Sequence, residues 1–308
     1  MSTKRIAVVT PVHNRKALTL QCLRSLARID RRGLEISTFV VDDGSTDGTS
    51  EAIAKEFPEV NVIQGDGELW YSEGTNVGIR QALLQRPDHL LLMNDDQVFD
   101  GQFLRHLVET AERHPRSVVG ALLLLWDTPH KIFQTSPIWE TWEGGWHHWR
   151  KQTVWTVPQK PWQVDLIVGN CMLVPRAVFE ETGLLDSRRY PTFGDVEFTP
   201  RLKRLGWKLL VEPRARVFCQ PNTMPKRVRT MGIREMFDEM IVDRRRSHNL
   251  RRRLSAHLDS APSKIQGVTA FGVFLIRSLI GKSVEQPGAD RRPERPLAET
   301  FASATVDD

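Results

Sequence analysis

The sequence predicts an α/β protein whose core is a doubly wound, mostly parallel β-sheet with helices on both faces. Short apolar runs alternate with segments of helical periodicity over residues 1–125, which is the pattern of consecutive βαβ units. Three of the apolar runs end directly in polar residues, at 10–15, 42–43 and 94–96. Because ligands of open α/β sheets bind beyond the carboxyl ends of the strands, these polar loops predict one shared site at one edge of the sheet.

Continuous apolar runs bounded by turn residues predict strands that are buried on both faces. These strands lie at 6–9, 39–41, 60–63, 90–93, 118–125 and 166–175. Apolar residues at intervals of three and four predict helices at 18–26, 50–56, 76–84, 102–113, 176–181 and 196–205. Thr46 or Asp47 is expected to cap the second helix, and Gly206 is expected to end the last one.

Two other segments lack this regularity. Residues 65–73 are expected to form a loop that carries Trp70 and Tyr71. Residues 127–162 hold six tryptophans and predict an irregular or β-hairpin insertion over the site. Most of these tryptophans are expected to form the core of the insertion, and one or two are available to stack on a sugar ring.

The composition is that of an ordinary globular protein, with 40% hydrophobic and 26% charged residues in a chain of 308. Cys22, Cys171 and Cys219 stand in apolar contexts without motif spacing, which argues against a disulfide framework or a zinc site. The sequence shows neither an apolar leader nor a stretch of transmembrane length, so we expect a cytoplasmic protein.

Basic residues are concentrated near the C-terminus. Residues 226–253 contain ten Lys or Arg against four acids, and the apolar stretch 268–280 follows. This region is expected either to bind an anionic membrane surface from the cytoplasmic side or to pack on the domain as a helical tail with a solvated basic face. No nucleic-acid recognition motif accompanies the arginines, so no nucleic-acid partner is expected.

Asp95 and Asp96 are the most informative residues of the predicted edge. They follow the buried strand 90–93 and Asn94, and two adjacent carboxylates repel each other unless a cation accompanies them. Carboxylate oxygens suit Mg²⁺ or Mn²⁺, and these cations in turn suit a diphosphate. The alternative is a solvated turn. No Gly-x-Gly-x-x-Gly and no Walker Gly-Lys-Ser/Thr motif occurs at the strand ends, which argues against a dinucleotide dehydrogenase or a P-loop NTPase.

A further carboxylate, Asp195, stands between Gly194 and the predicted helix 196–205. A carboxylate at a helix N-terminus is stabilised as the anion by the helix dipole and by the free N–H groups of the first turn. Asp195 is therefore either a plain helix cap or a base held ready for proton transfer.

Six segments, taken together in their order and spacing, resemble the family-two inverting glycosyltransferases of the GT-A fold. They are residues 9–15, 41–49, 74–79, 92–96, 169–174 and 183–201. The resemblance covers residues 5–220. Within the family, the loop 68–74 is similar to that of bacterial rhamnosyltransferase-type enzymes, which build surface polysaccharides.

The resemblance implies an enzyme that moves a sugar from a nucleoside-diphosphate sugar, such as dTDP-rhamnose or a UDP-sugar, to a hydroxyl of a glycan or lipid-linked acceptor. It implies Asp195 as the general base, Asp96 as the principal ligand of Mg²⁺ or Mn²⁺, and Asp95 as the lesser ligand. The implied contacts of the nucleotide sugar are Thr10, Pro11, Asn14, Arg15, Asp42, Asp43, Trp70, Asn76, Asn94 and Asp95. The candidate acceptor contacts are Trp146, Glu197 and Asn170.

The sequence departs from the family pattern at two positions. Asn94 stands where the family's Asp-x-Asp begins, which makes Asp96 the principal metal ligand. Gly194 stands where a glutamate commonly precedes the base, which leaves Asp195 as the candidate and makes Glu197 a second one. The Gln-x-x-Arg-Trp motif of processive synthases is absent from the sequence, which favours the addition of one sugar over polymerisation.

On this basis residues 1–222 are expected to form the catalytic domain, with a nucleotide-binding half at 1–125 and an acceptor half at 126–222. Residues 223–284 are expected to form a basic and apolar helical region, and 285–308 a disordered tail. One alternative is a nucleotidyltransferase similar to sugar-nucleotide pyrophosphorylases, although the Gly-rich phosphate loop of that class does not follow the first strand. Another is a non-catalytic nucleotide-sugar-binding protein. The oligomeric state is left open.

Overall fold

The computed structural model describes residues 3–134, 138–147, 152–220, 231–242 and 249–280. Its strands are β1 (Lys4–Val12), β2 (Leu34–Asp42), β3 (Asn61–Gln64), β4 (His89–Met93), β5 (Gln97–Phe99), β6 (Ser117–Leu125), β7 (Ile132–Gln134), β8 (Ile138–Glu140), β9 (Gly145–His147), β10 (Trp162–Gln163), β11 (Cys171–Pro175) and β12 (Lys208–Cys219). Its α-helices are α1 (Lys16–Ala27), α2 (Thr49–Glu56), α3 (Trp70–Leu84), α4 (Phe103–Arg113), α5 (Arg176–Thr182), α6 (Asp195–Arg204), α7 (Ile233–Phe237), α8 (Leu250–Ser260) and α9 (Lys264–Ile280). A 3₁₀ turn spans Thr141–Glu143, and a π-helical turn spans Asp238–Val242.

The central sheet runs in the order β10-β12-β6-β11-β4-β1-β2-β3, with β5 paired to β12 and β7 to β6. Strands β3, β2, β1 and β4 are mutually parallel, and β12 is parallel to β6. Between these two groups lies β11, which is antiparallel to both β4 and β6. The predicted α/β class with a mostly parallel sheet is therefore confirmed.

Helices cover both faces of this sheet, as predicted for a doubly wound fold. On one face α1 and α4 bury Leu26, Phe103 and Leu107 against the strands. On the other face α3 and α6 bury Ile79 and Phe198. The strands are enclosed from both sides, which explains why they appear in the sequence as continuous apolar runs.

Helix α3 begins earlier than the sequence indicated. It starts at Trp70, inside the predicted loop 65–73, and not at Asn76. The physical reason is a contact with a residue that is distant in the sequence. The carboxylate of Asp43 accepts the backbone N–H of Trp70 at 2.9 Å and so fixes the start of the helix.

Strand β11 is shorter than the predicted strand 166–175, because Gly169 makes its hydrogen bonds outside the sheet. Its N–H donates to Asp195 at 2.9 Å, and its carbonyl accepts from the hydroxyl of Tyr71 at 3.0 Å. The residues before Cys171 therefore form a loop at the sheet edge.

The tryptophan-rich segment is irregular and contains a β-hairpin, as predicted. The antiparallel pair β8–β9 packs on the C-terminal helices through Gly144, whose carbonyl lies 3.1 Å from Nε2 of His257. Glu143 forms an ion pair with Arg277 of α9. Helix α8 is tied to α6 because Ser260 donates to the carbonyl of Val196 at 2.6 Å. The described C-terminal helices thus pack on the domain.

The prediction of a solvated basic face is wrong for two arginines of α8. Arg252 is 7% exposed, donates to Thr192 at 2.8 Å and lies 4.8 Å from the ring of Phe193. Arg253 lies 4.9 Å from the ring of Phe274, and burial beside Arg252 lowers its pKa to about 10. These aromatic partners draw the guanidinium groups inward.

Residues 244–246 and the predicted disordered tail 285–308 lie outside the described residues. Of the described helices, not one combines the length and the apolar character needed to cross a bilayer.

Candidate active site

The acidic pair at the end of β4 is bound by the guanidinium of Arg15. Nη1 of Arg15 lies 2.9 Å from Oδ1 of Asp95, and Nη2 lies 2.9 Å from Oδ2 of Asp96. Thr19 of α1 donates to the other oxygen of Asp95 at 2.8 Å. Asp95 is 2% exposed, and its burial outweighs the charge of Arg15 and raises its pKa to about 6. The positive charge expected beside the pair is thus supplied in part by the chain itself.

The pair also suits a divalent cation. Oδ1 of Asp96 is buried and has no hydrogen-bond partner among the described residues, so a lone pair is available at the edge of the sheet. The described residues contain no cluster of three or more side chains arranged to hold a metal. A Mg²⁺ or Mn²⁺ ion held by one or two carboxylates and completed by substrate phosphates is the usual arrangement at such sites. Asp95 and Asp96 fit that donor set.

Asp42 is the last residue of β2 and Asp43 follows it, and both organise the neighbouring loops. The Asp42 carboxylate is buried and accepts the N–H of Ser45 at 2.9 Å and the hydroxyl of Ser50. The Asp43 carboxylate accepts the N–H groups of Gly67, Leu69 and Trp70 at 2.8, 3.2 and 2.9 Å. The Asp42 carboxylate therefore shapes the loop that leads into α2, and the Asp43 carboxylate shapes the turn that carries Trp70. Their predicted contact with a nucleoside stays a prediction.

Trp70 and Asn14 lie in strained backbone positions beside these loops. Trp70 has φ 58° and is 38% exposed, and Asn14 has φ 52°. The Asn14 amide accepts the N–H of Thr46 at 2.8 Å, which joins the first polar loop to the second. A left-handed conformation of a bulky residue costs of order 1–3 kcal/mol and persists where the surroundings fix it, commonly at functional sites.

Thr10 and Pro11 close the end of β1. The hydroxyl of Thr10 is buried without a hydrogen-bond partner among the described residues. Pro11 contacts α3 so closely that a Cβ on Gly74 would lie 3.0 Å from Cβ of Pro11. This contact brings the first turns of α3 next to the first polar loop.

Asn76 is used by the protein itself. Its Oδ1 accepts the N–H of Leu185 at 3.0 Å, and its Nδ2 donates to the carbonyl of Leu185 at 2.9 Å. The amide is buried and anchors the chain before Asp195. The contact of Asn76 with the nucleotide sugar that the resemblance implied stays a prediction.

Asp195 is the first residue of α6 and lies half-buried at the edge of the site. Its Oδ2 accepts the N–H of Gly169 at 2.9 Å. Burial raises the pKa of Asp195, and the N–H groups of Gly169 and of the helix start oppose that rise by stabilising the anion. A carboxylate with a raised pKa is better able to accept a proton than an ordinary aspartate.

Residues 169–170, which we call the 169–170 bridge, connect Asp195 to the acidic segment. The carbonyl of Asn170 accepts the N–H of Asn94 at 3.0 Å and the side-chain amide of Gln97 at 2.7 Å. Gly169 makes the contact with Asp195 described above. The predicted metal segment and the predicted base are therefore joined through two consecutive residues.

Glu197 does not share the surroundings of Asp195. It is buried, and its two oxygens accept from Arg201 at 2.7 and 3.3 Å. The same guanidinium donates to the carbonyls of Thr182 and Leu184. This ion pair holds the loop after α5, which argues against Glu197 as the base or as an acceptor contact.

Trp146 lies in the hairpin, with its ring edge-on to Trp139 at a centroid distance of 5.1 Å. Trp139 in turn packs edge-on to His257 of α8. The structure thus places Trp146 in the core of the insertion, and its predicted stacking on an acceptor stays a prediction.

Tyr71, Ser72 and Gln97 belong to the site but were not identified from the sequence. Tyr71 and Gln97 each donate to a carbonyl of the 169–170 bridge, and Ser72 donates to the carbonyl of Tyr190. Tyr71 and Gln97 are adjacent to Trp70 and Asp96, which the sequence did single out, and this adjacency was the available signal. Ser72 lies two positions after Trp70 and carried no such signal.

A mostly parallel sheet, with an acidic pair at its carboxyl edge and a carboxylate at the start of α6 joined to it, is the arrangement expected of a glycosyltransferase of the GT-A fold. The chain belongs to glycosyl transferase family 2, whose family model matches residues 7–183. The resemblance derived from the six segments is thereby confirmed.

The chain is also similar in sequence to a bacterial rhamnosyltransferase. N-acetylglucosaminyl-diphospho-decaprenol L-rhamnosyltransferase of Mycobacterium tuberculosis is 26% identical over 205 residues, which are 59% of this chain and 66% of that protein. The match thus spans just under two thirds of the length of that relative.

Solved structures share the fold at low sequence identity. The structure of GalNAc-T7 with UDP, GalNAc and Mn²⁺ covers 87% of this chain and 54% of that one, with a TM-score of 0.61 and 16% identity. The structure of S. aureus TarS 1–349 with UDP covers 90% of this chain and 72% of that one, with a TM-score of 0.54 and 15% identity. These likenesses confirm the GT-A fold.

Proposed function

We propose that this protein transfers a single sugar, with inversion at the anomeric carbon, from a nucleoside-diphosphate sugar to an acceptor hydroxyl. The observation that carries the proposal is the 169–170 bridge. Asn170 accepts from the segment of the acidic pair, and Gly169 donates to Asp195. One backbone segment therefore holds both a site suited to a leaving diphosphate and a candidate base.

The donor is proposed to lie over the carboxyl ends of β1, β2 and β4, between the first polar loop and Trp70. Arg15 supports this placement because its guanidinium already lies at the acidic pair, within reach of a diphosphate bound there. The rhamnosyl transfer in the name of the mycobacterial relative makes dTDP-rhamnose a candidate donor, and the UDP in the neighbouring structures makes a UDP-sugar another.

A Mg²⁺ or Mn²⁺ ion is proposed to bind Asp96 and Asp95. When bound there, it would neutralise the charge that develops on the leaving diphosphate. The free Oδ1 of Asp96 supports this assignment, as does the Mn²⁺ in the structure of GalNAc-T7. Arg15 then keeps the second positive charge of the site near the phosphates.

Asp195 is proposed to act as the general base. A bond forms between the acceptor oxygen and the anomeric carbon while the bond from that carbon to the diphosphate breaks, and the hydroxyl proton moves to Asp195. A displacement in line with the leaving group inverts the anomeric configuration. The bond from Gly169 and the start of α6 fix the carboxylate, so it needs no rearrangement to receive the proton.

The acceptor is proposed to be a glycan or a lipid-linked sugar at a membrane surface. The diphospho-decaprenol in the name of the mycobacterial relative supports a lipid-linked acceptor. Helix α9 presents three residues on one face, Ile265, Val268 and Ile276, which are 80, 56 and 57% exposed. This α9 stripe, and not the inward-facing arginines of α8, is the proposed membrane contact.

Family membership argues against the pyrophosphorylase alternative, and turnover separates an enzyme from a binding protein. The test incubates the protein and Mn²⁺ with a panel of sugar nucleotides and hydroxyl acceptors. We expect acceptor-dependent release of nucleoside diphosphate from one donor, with an inverted anomeric centre in the product by NMR. Release of pyrophosphate, retention of configuration, or binding without release would contradict the proposal.

A further inference from the structure

We propose that Tyr71 and Ser72, in the first turn of α3, are positioning residues that hold Asp195 in place and connect it to the donor loops. The inference rests on the proposed function, in which Asp195 is the base. Neither residue was expected to contact donor, metal or acceptor, and the structure assigns their role through the groups that they bind.

Tyr71 acts through Gly169. The Tyr71 hydroxyl donates to the carbonyl of Gly169 at 3.0 Å, and the N–H of Gly169 donates to Asp195 at 2.9 Å. A Cβ on Gly169 would lie 2.3 Å from the Tyr71 hydroxyl and 3.2 Å from Cβ of Asp195, so the three residues are in tight contact. Burial and the nearby charge of Asp195 raise the pKa of Tyr71, which keeps the hydroxyl protonated and able to donate.

Ser72 acts through the loop that enters α6. Its N–H donates to the carbonyl of Pro191 at 2.9 Å, and its hydroxyl donates to the carbonyl of Tyr190 at 2.5 Å. The same hydroxyl accepts the N–H of Gly194 at 3.1 Å. Ser72 is fully buried, so these three bonds fix the chain immediately before Asp195 without competition from water.

Trp70, the residue before Tyr71, connects the first turn of α3 to the loop after β2. The N–H of Trp70 donates to Asp43 at 2.9 Å, and Asp43 also binds Gly67 and Leu69. Three consecutive residues, 70–72, therefore contact the loop after β2, the 169–170 bridge and the loop before α6. A donor that orders Trp70 would thus also order the surroundings of Asp195.

Among the residues that the structure describes, few groups face the Asp195 carboxylate, which makes the effect of Tyr71 measurable. They are the Tyr71 hydroxyl from α3, the N–H of Gly169, and the N–H groups at the start of α6. Glu197 and Arg201 pair with each other. Because a donated N–H stabilises the anion, loosening Gly169 should raise the pKa of Asp195.

The test is the pH dependence of kcat/KM for Tyr71→Phe, which keeps the ring and removes the hydroxyl. We expect the acidic limb to move to higher pH by about half a unit to one unit, because the Gly169 bond to the anion weakens. We expect kcat to fall by about 3- to 30-fold with the KM of the donor within about twofold, since donor contacts are retained. The melting temperature should change little.

Tyr190→Phe is the matched control. It removes the hydroxyl of the other tyrosine in the sequence, which donates to Asp259 at 2.6 Å, and it leaves the Tyr190 backbone carbonyl that Ser72 binds in place. Its acidic limb is expected to coincide with that of the wild type. An unmoved limb in Tyr71→Phe, or an equal shift in Tyr190→Phe, would overturn the proposal.

Asp195→Asn separates this inference from the proposed function. If Asp195→Asn retains wild-type turnover, then Asp195 is not the base and both proposals fail. If Asp195→Asn is inactive and Tyr71→Phe has the wild-type pH profile and kcat, then the positioning role alone fails. Ser72→Ala gives a second measure: we expect kcat to fall by about tenfold while nucleoside diphosphate binding by calorimetry is unchanged.

Discussion

Replacing Arg15 by methionine tests the link between the chain's own cation and the metal site. The substitution keeps most of the apolar stem and removes two contacts of 2.9 Å to Asp95 and Asp96. Removing one partner of a buried ion pair lowers the free energy of unfolding by about 3–5 kcal/mol, whereas an exposed pair contributes about 0–1 kcal/mol to it. Because the Arg15 side chain is 37% exposed, solvent screens part of the effect. We therefore expect Arg15→Met to lower the free energy of unfolding by about 1–3 kcal/mol, which corresponds to a fall of about 3–8 °C in Tm.

The same variant should respond more strongly to Mn²⁺ than the wild type. In the variant, Mn²⁺ no longer competes with the Arg15 guanidinium for the two carboxylates, so its affinity for them should be higher. A tenfold gain in affinity corresponds to about 1.4 kcal/mol, which raises Tm by about 3–5 °C beyond the wild-type response at the same saturating concentration. The assay is a thermal melt with and without Mn²⁺, with no nucleotide present.

Arg24→Met in α1, the helix that Arg15 immediately precedes, is the matched control, because Arg24 pairs with Glu56 at 2.6 Å at the surface and away from the acidic pair. It should leave the Mn²⁺ response unchanged. Equal Tm and equal Mn²⁺ response in wild type and Arg15→Met would refute the assignment of Arg15 as the resting partner of the pair.

Three other variants test separate parts of the site and the surface. Asp96→Ala should abolish turnover and weaken Mn²⁺-dependent binding of nucleoside diphosphate, and full activity or resistance of the wild type to EDTA would contradict the metal assignment. Gly194→Glu restores the common family residue and should lower the free energy of unfolding by about 1–3 kcal/mol in a denaturant melt. The reason is that a Cβ there would lie 2.6 Å from the hydroxyl of Ser72. A melt like that of the wild type would contradict this packing. Serine at all three positions of the α9 stripe should reduce sedimentation with phospholipid vesicles by roughly tenfold, and equal sedimentation of variant and wild type would count against the stripe.

The sequence predicted the sheet edge well, because its signals are local. An apolar run that ends in polar residues is visible in the chain at Asn94, Asp95 and Asp96, and parallel strands bring such ends together. Glu197 and Arg201 are four apart on a helix, so their ion pair could also have been predicted.

The misses come from contacts between distant parts of the chain. The start of α3 depends on Asp43, which binds Trp70 across 27 positions. The inward turn of Arg252 depends on Phe193 in the loop before α6. The sequence shows the charge of Arg252, but it does not show which aromatic ring the guanidinium will pack against in the folded protein. Tyr71 was assigned to a loop for the same reason, and its contact with Gly169 was therefore not foreseen.

The most direct test of the central claim is the turnover of Asp195→Asn with the donor that the wild type uses. The substitution keeps the size of the side chain and removes its ability to take the acceptor proton. We expect kcat to fall by about 10²–10⁴-fold, while Mn²⁺ and nucleoside diphosphate bind as in the wild type. Wild-type turnover in Asp195→Asn, together with an inactive Glu197→Gln, would contradict the account and identify Glu197 as the base.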